Sequence, residues 1–114
     1  MEGNIMVSVL CTAYNHEGFI KDAIEGVLSQ RVDFRYELII HEDASTDGTR
    51  EIIMQYAENF PHIIRTILQE KNQYHSCNIY QSYLFPAARG KYIAFCEGDD
   101  YWADPTKLQK QVEF

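Results

Sequence analysis

The sequence has 114 residues, of which 46% are hydrophobic, and its ten basic and 17 acidic side chains give a formal net charge of −7. This length fits one domain with a real core, the hydrophobic content argues against a disordered chain, and a negative chain without a Lys/Arg run argues against nucleic acid as a partner. The three cysteines form no CxxC pair, which argues against a disulfide framework or a zinc site, and no apolar run approaches the roughly 20 residues of a membrane helix.

The cysteines also indicate the redox environment of the protein. Cys11 and Cys96 end apolar runs, and we expect them to be small buried hydrophobic side chains, which fits a reducing environment. The first residues lack a basic stretch followed by a long apolar core, so no secretory signal is expected. A cytoplasmic location is therefore predicted, with the inner face of a membrane as the alternative.

Strand-like and helix-like patterns alternate along the chain. Short apolar runs predict strands covered on both faces, and apolar residues spaced by three and four predict amphipathic helices. Four strand–helix repeats predict an α/β fold, with a Rossmann-like, mostly parallel sheet and helices on both faces. In chain order the predicted elements are a strand at 5–11, a helix at 19–30, a strand at 36–41, a helix that ends near 59, a strand at 62–68, a helix at 77–88, a strand at 91–96 and a helix at 107–114.

Polar residues follow three of the predicted strands. Residues 12–15 come after the first strand, Glu42 and Asp43 after the second, and residues 97–100 after the fourth. In open parallel sheets, ligands bind beyond the carboxyl ends of the strands. The sequence therefore predicts that these three segments meet at one edge of the sheet.

Asp99 and Asp100 form the densest acidic group together with Glu97. Mg²⁺ and Mn²⁺ prefer oxygen ligands and are usually held by one or two carboxylates plus the phosphates of a substrate. The alternative is a solvated acidic turn that precedes the last helix. Tyr101 and Trp102 could stack on a base or a sugar, or form a flap that packs on the core.

Asp43 begins a segment, DASTDGT, that also contains turn and cap residues. Its carboxylate could accept a hydrogen bond from a ligand N–H group, or it could be a cap. Asp47 is expected to be a cap, and the four scattered histidines are assigned no role. The chain contains no GxxxxGK[ST], GxGxxG or GxSxG motif, so a P-loop, a dinucleotide fingerprint and a nucleophile elbow are all absent from the sequence.

Three blocks of the chain stand in a recognisable order. They are VSVLCTAYNHEGFIKDAIEGVLSQ, YELIIHEDASTDGTREII and ARGKYIAFCEGDDYWADPTKLQKQ. Together they resemble the amino-terminal half of the family 2 glycosyltransferases of the GT-A fold. The resemblance implies that residues 1–114 are the nucleotide-sugar-binding part of such a domain.

The resemblance also implies which residues contact the nucleotide. In these enzymes the block after the first strand lines the nucleotide pocket, and Thr12, Tyr14 and Asn15 match it. The second acid after the second strand holds the base, typically uracil, and Asp43 matches it. A UDP-sugar donor is therefore expected.

The acidic "DxD" block after the fourth strand is expected to contact the ribose and a divalent metal, Mn²⁺ or Mg²⁺, on the diphosphate. Glu97, Asp99 and Asp100 match this block in two ways. Glu97-Gly98-Asp99 fits the three-residue form, and Asp99-Asp100 fits an adjacent pair. We expect Asp99 and Asp100 near the metal, and Glu97 or Asp99 on the ribose.

The activity implied is metal-dependent, inverting transfer of a sugar to a hydroxyl of a glycan or lipid-linked acceptor, in polysaccharide or cell-envelope synthesis. Many relatives have proline where Thr12 stands. In the family, the acceptor-binding region and the general base come later in the chain, so the sequence is expected to be truncated and to lack both. Apolar surface exposed by truncation would favour a homo-oligomer.

Two other classes of domain also fit the general pattern of this sequence. A phospho-receiver signalling domain also alternates strands and helices and holds Mg²⁺ with acids, but it needs acids after the first strand and an aspartate after the third. Those positions carry Thr12 and Gln69. A noncatalytic nucleotide-binding module is the other alternative.

Overall fold

The computed structural model of the chain describes residues 4–74 and 77–113, and it confirms the predicted α/β fold. Four parallel strands form one sheet in the order β3-β2-β1-β4, and helices cover both of its faces. The strands are β1 (Ile5–Ala13), β2 (Arg35–Glu42), β3 (Ile64–Leu68) and β4 (Tyr92–Phe95), and the helices are α1 (Ile20–Leu28), α2 (Thr49–Asn59), α3 (Phe85–Ala87) and α4 (Lys107–Glu113). Among the described helices, none is both long enough and apolar enough to cross a membrane.

The two central strands alternate between the faces of the sheet, as the period of two requires. Val9 and Cys11 of β1 face a core shared with α1, α2 and α4, whereas Leu10 faces the opposite side, where Leu84 packs against it. Cys11 and Cys96 are buried and free, as the sequence predicts. Strands buried on both sides explain the near-continuous apolar runs.

The segment predicted as a single helix at 77–88 has a different form. Tyr80–Leu84 forms a π-helical turn that continues directly into α3. A π turn contains one more residue per turn than an α-helix, and such turns occur often at functional sites. The apolar spacing of 3.6 residues could not indicate it.

The prediction that the fourth strand is buried is wrong for β4. Ile93 is 42% exposed and Phe95 is 50% exposed. The reason is its place in the sheet, because among the described strands β4 pairs only with β1. Trp102 is only 5% exposed and belongs to the larger core, so the flap interpretation holds for it, whereas Tyr101 is exposed.

A buried carboxylate, Glu37 of β2, lies on the smaller-core face. Ser8 Oγ donates a hydrogen bond to it over 2.6 Å, and the guanidinium groups of Arg65 and Arg89 lie 3.0 and 2.9 Å away. Burial alone would raise the pKa of Glu37, but the hydrogen bonds from Ser8 and Arg89 and the charge of Arg65 outweigh it and hold the pKa below its usual value. This network joins three strands to the segment that precedes β4.

Candidate functional site

The end of β1 holds the acidic segments on both of its sides. The carbonyl of Ala13 accepts a hydrogen bond of 3.0 Å from the Asp43 N–H, and the carbonyl of Thr12 accepts one of 2.9 Å from the Gly98 N–H. Because β2 and β4 flank β1 and run parallel to it, both acidic segments emerge at the same edge. Two strand spacings of about 4.8 Å put them roughly 10 Å apart.

The loops after β1 and β2 are hydrogen-bonded to each other. Asn15 has a positive φ of 54°, its Oδ1 accepts from the Thr46 N–H over 2.8 Å, and its N–H donates to Ser45 Oγ over 2.9 Å. Asp47 accepts from the Thr49 N–H over 2.9 Å at the start of α2, as expected of a cap. The structure therefore gives Asn15 a local role in fixing these two loops.

The two adjacent acids after β2 have different surroundings. Glu42 is fully buried, and Arg50 Nε donates to it over 2.7 Å. Asp43 is also buried, but its Oδ1 accepts only a main-chain hydrogen bond, 2.7 Å from the Gln73 N–H. Among the described residues no salt bridge includes Asp43, so its charge is available to a ligand.

Asp43 lies at the bottom of an open cleft at this edge of the sheet. The cleft has a volume of about 460 Å³. Tyr14, whose side chain is 43% exposed, presents an aromatic surface in it. A neighbouring recess of about 250 Å³ shares Asp43 and Tyr14 with the cleft and extends toward Thr12. The residues that line the cleft are Tyr14, Asp43, Asn72 and Tyr74.

The three acids after β4 differ in their contacts. Both carboxylate oxygens of Glu97 accept hydrogen bonds, one from the Thr12 hydroxyl and one from the Tyr80 hydroxyl. Asp99 and Asp100 are exposed, and no salt bridge between described residues includes them. Two exposed carboxylates therefore stand side by side without a compensating cation in this part of the chain.

These acids create a negative environment that reaches the core. Burial, followed by the charges of Asp100 and Glu97, raises the pKa of the Cys96 thiol to about 12. A thiol in this state is protonated at neutral pH and does not act as a nucleophile. The same negative potential would attract a divalent cation to the edge.

The residues at this edge fit a divalent metal whose coordination shell is completed by a substrate. Within residues 4–74 and 77–113 there is no group of three or more His, Cys, Asp or Glu side chains that could hold an ion by itself. Mg²⁺ and Mn²⁺ commonly use one or two carboxylates and complete their shell with phosphate oxygens and water. Asp99 and Asp100 supply that smaller donor set.

Comparison with known proteins gives the family. The family described as Glycosyl transferase family 2 matches residues 8–114. The chain belongs to glycosyltransferase family 2. It is 45% identical over 108 residues to an uncharacterized protein of Mycobacterium tuberculosis, covering 95% of this chain and 31% of that protein. It is 38% identical over 109 residues to the putative teichuronic acid biosynthesis glycosyltransferase TuaG of Bacillus subtilis, covering 96% of this chain and 41% of that protein.

Solved structures confirm the GT-A fold of this family 2 chain. The TarS fragment 1–349 of S. aureus in complex with UDP superposes with a TM-score of 0.78 at 23% identity, over 96% of this chain and 31% of that one. The mannosyltransferase PcManGT of Pyrobaculum calidifontis, in complex with GDP-Man and Mn²⁺, gives a TM-score of 0.80 at 20% identity, over 96% and 32% of the two chains. The chain thus spans between about a third and two fifths of the length of these four proteins.

Several residues of this candidate site have no signal in the sequence. His16, which was assigned no role, lines the recess, and its Nδ1 is buried without a hydrogen-bond partner among the described residues. Gln73 reaches Asp43 through its main chain, which no side-chain pattern can reveal. Tyr80 lies 17 residues before Glu97 in the chain, yet its hydroxyl reaches that side chain.

Gly98 is required by the close packing behind the two exposed acids. A Cβ atom there would collide with His16 Nδ1 and lie 3.1 Å from both the Ala13 Cβ and the Thr12 carbonyl oxygen. We expect Gly98→Ala to lower the free energy of unfolding by about 1–3 kcal/mol, as overpacking does. Urea unfolding measures it, with Gly18→Ala as the matched control because a Cβ on Gly18 meets nothing within 4 Å. Equal stabilities of the two variants would contradict the packing argument.

Proposed function

We propose that this chain binds the UDP-sugar donor of a metal-dependent, inverting glycosyltransferase that builds a cell-envelope polysaccharide at the cytoplasmic side of the membrane. The observation that carries the proposal is the juxtaposition at the end of β1, with the buried Asp43 on one side and the exposed pair Asp99 and Asp100 on the other. A nucleoside diphosphate has a hydrogen-bonding base at one end and an anionic, metal-binding diphosphate at the other. In the proposed arrangement, the base lies at Asp43 on one side of β1, and the metal-bound diphosphate lies at Asp99 and Asp100 on the other.

The uracil base is assigned to the cleft at Asp43. A carboxylate that carries no ion pair can accept a hydrogen bond from the N–H group of the base. The ring of Tyr14 offers a stacking surface beside it. The support from known proteins is the TarS complex, whose partner is UDP.

The ribose and the metal are assigned to the adjacent acids. Glu97 already accepts two hydroxyl hydrogen bonds, so we assign the ribose hydroxyls to Asp99 and the divalent metal to Asp100. The metal, Mn²⁺ or Mg²⁺, would neutralise charge on the departing diphosphate. PcManGT, which was solved with GDP-Man and Mn²⁺, supports a divalent ion in proteins of this fold.

The transfer itself needs an acceptor hydroxyl and a base. A carboxylate that removes the hydroxyl proton would let the oxygen attack the anomeric carbon from the face opposite the diphosphate, which inverts the configuration. We assign the acceptor site and this base to the part of the relatives that the 114 residues do not match. The acceptor class that we propose is a glycan or lipid-linked sugar, and the name of TuaG, a putative teichuronic acid biosynthesis glycosyltransferase, supports it.

The proposal is tested by titrating the protein with UDP in a calorimeter, once with Mn²⁺ and once with EDTA. We expect weak binding that strengthens at least about tenfold with Mn²⁺, because the ion bridges carboxylate and phosphate. Inorganic pyrophosphate is the control ligand, and it should bind more weakly than UDP if the cleft holds the base. Equal UDP binding in Mn²⁺ and EDTA would remove the metal from the proposal, and no binding in either would remove the donor.

The receiver-domain alternative is not supported. It needs acids directly after the first strand and an aspartate directly after the third, whereas Tyr14 and Asn15 follow β1 and Gln69 follows β3. The family match also excludes it. A noncatalytic nucleotide-binding module shares the proposed cleft, and it is distinguished by sugar transfer from UDP-sugar in the full-length protein.

A further inference from the structure

Glu97 is held at both of its carboxylate oxygens by hydroxyl groups from separate parts of the chain. Thr12, at the end of β1, donates to Oε2, and Tyr80, the first residue of the π turn, donates to Oε1. We refer to Thr12, Tyr80 and Glu97 as the hydroxyl clamp. Hydrogen bonds to an ionised carboxylate are stronger than those between neutral groups, so the clamp can fix the side chain of Glu97.

Tyr80 is itself fixed by packing. Its ring meets Phe95 of β4 edge-on, with 5.4 Å between the ring centroids, and it meets Phe85 at 6.0 Å in a tilted arrangement. Burial, with the hydrogen bond to Glu97, raises the pKa of the Tyr80 phenol well above its usual value. The phenol therefore stays protonated at neutral pH and remains a hydrogen-bond donor.

The clamp acts on the turn that carries the two exposed acids. The carbonyl of Glu97 accepts the Asp100 N–H over 2.9 Å, and the next residue, Gly98, donates to the Thr12 carbonyl over 2.9 Å. With both side-chain oxygens of Glu97 also held, the start of the turn is fixed at its main chain and at its side chain. Asp99 and Asp100 remain exposed beyond it.

We infer that Tyr80 is a positioning residue: with Thr12 it anchors Glu97, so that Glu97 supports the turn and the metal–nucleotide ligands are Asp99 and Asp100. This inference rests on the proposed function and narrows it. It also favours one of the two ways of matching the acidic block, because both oxygens of Glu97 already accept from hydroxyl groups, whereas Asp99 and Asp100 are exposed and take part in no salt bridge between described residues.

The first test needs no ligand. A double-mutant cycle with Tyr80→Phe and Glu97→Ala in urea unfolding measures whether the two side chains interact. If they do, the equilibrium constant for unfolding of the double variant should be at least about fivefold smaller than the value obtained by multiplying the effects of the two single substitutions. Additive effects would overturn the clamp, whatever the protein binds.

The second test measures binding of Mn²⁺ and UDP. Tyr80→Phe should weaken Mn²⁺-dependent UDP binding by about tenfold and leave UDP binding in EDTA unchanged, since the turn and not the base cleft is released. The matched control is Tyr36→Phe, which removes a part-buried phenol hydrogen bond, 3.2 Å to the Val27 carbonyl, far from this edge. Tyr36→Phe should lower the free energy of unfolding by a similar amount to Tyr80→Phe and leave Mn²⁺-dependent UDP binding unchanged.

The third variant separates an anchor from a ligand. Glu97→Gln keeps an oxygen that accepts from one hydroxyl and offers an NH₂ group that donates to the other, so both contacts of the clamp are kept and we expect Mn²⁺-dependent affinity within about threefold of the unsubstituted protein. A metal ligand would instead lose at least about tenfold. A loss of that size in Glu97→Gln, or an unchanged affinity in Tyr80→Phe, would overturn the inference. Failure of the unsubstituted protein to bind UDP would overturn the proposed function and this inference with it, while the unfolding cycle would still report on the clamp alone.

Discussion

Asp100→Asn is expected to abolish the strengthening of UDP binding by Mn²⁺ while leaving the fold intact. Asp100 is exposed, and its Oδ1 accepts only a hydrogen bond of 2.8 Å from the Tyr101 N–H, which an asparagine oxygen can also accept. The substitution therefore removes charge and little else. Even loss of an outer-shell partner costs a metal site about 10- to 100-fold, so a lost carboxylate should cost at least that much. Calorimetric titration of UDP at fixed Mn²⁺ measures the change.

A control substitution at another exposed acid makes this result specific. Asp104 is an exposed acid close in sequence, and its Oδ1 accepts from the Thr106 N–H over 2.8 Å just before α4. Asp104→Asn changes the net charge by the same amount and should leave the Mn²⁺ effect unchanged. If the two variants lost Mn²⁺ dependence equally, general electrostatic attraction would explain the effect, and the assignment of the metal to Asp100 would be wrong.

Glu37→Ala is expected to be the most destabilising of the substitutions considered. It removes the acceptor for Ser8 Oγ and for the Arg89 N–H, and it leaves two guanidinium groups without their carboxylate. Breaking a fully buried pair costs about 3–5 kcal/mol. The side chains of Arg65 and Arg89 are 36% and 56% exposed and can return to water, so we expect roughly 2–4 kcal/mol. Urea unfolding at pH 7 measures it.

The same carboxylate gives a pH dependence with a defined sign. The pKa of Glu37 is lower in the folded chain than in the unfolded one, so its stabilisation is present above the unfolded value of about 4.3 and is lost as the pH falls through the folded value. The unfolding free energy of the unsubstituted protein should therefore drop in acid more steeply than that of Glu37→Gln. Glu58→Gln, an exposed acid on α2, serves as the control and should keep the full slope. Parallel curves for all three proteins would contradict this role of Glu37.

The sequence predicts the sheet, the helices and the meeting of the acidic segments, because each depends on local patterns. Apolar runs at β1 and β2 indicate buried strands, and parallel strands place their carboxyl ends together. The exposure of Phe95 could not be predicted from its run of apolar neighbours, since the position of a strand within a sheet is set by pairing over long distances. An edge strand and a central strand have the same local pattern here.

The contacts within the site were predictable only in part. Asp43 and the acids from Glu97 to Asp100 are conspicuous in the sequence, and the resemblance assigns them roles. The division between Glu97 and its neighbours depends on two hydroxyls that are 85 and 17 residues away from it in the chain. The hydrogen bond from Gln73 to Asp43 uses a main-chain N–H, which every residue except proline carries.

Both acidic loops are hydrogen-bonded to successive carbonyls of β1, and this determines which positions at this edge can change in sequence without moving the loops. The donors at positions 43 and 98 are main-chain N–H groups, so any replacement of Asp43 other than proline preserves its hydrogen bond, whereas position 98 must also remain glycine because of its packing. Side chains such as those of Asp43, Asp99 and Asp100 can therefore be exchanged without moving the backbone that spaces them. If the proposed function is correct, preference for one base or sugar over another can change by point substitution, while the distance between the two acidic loops stays constant.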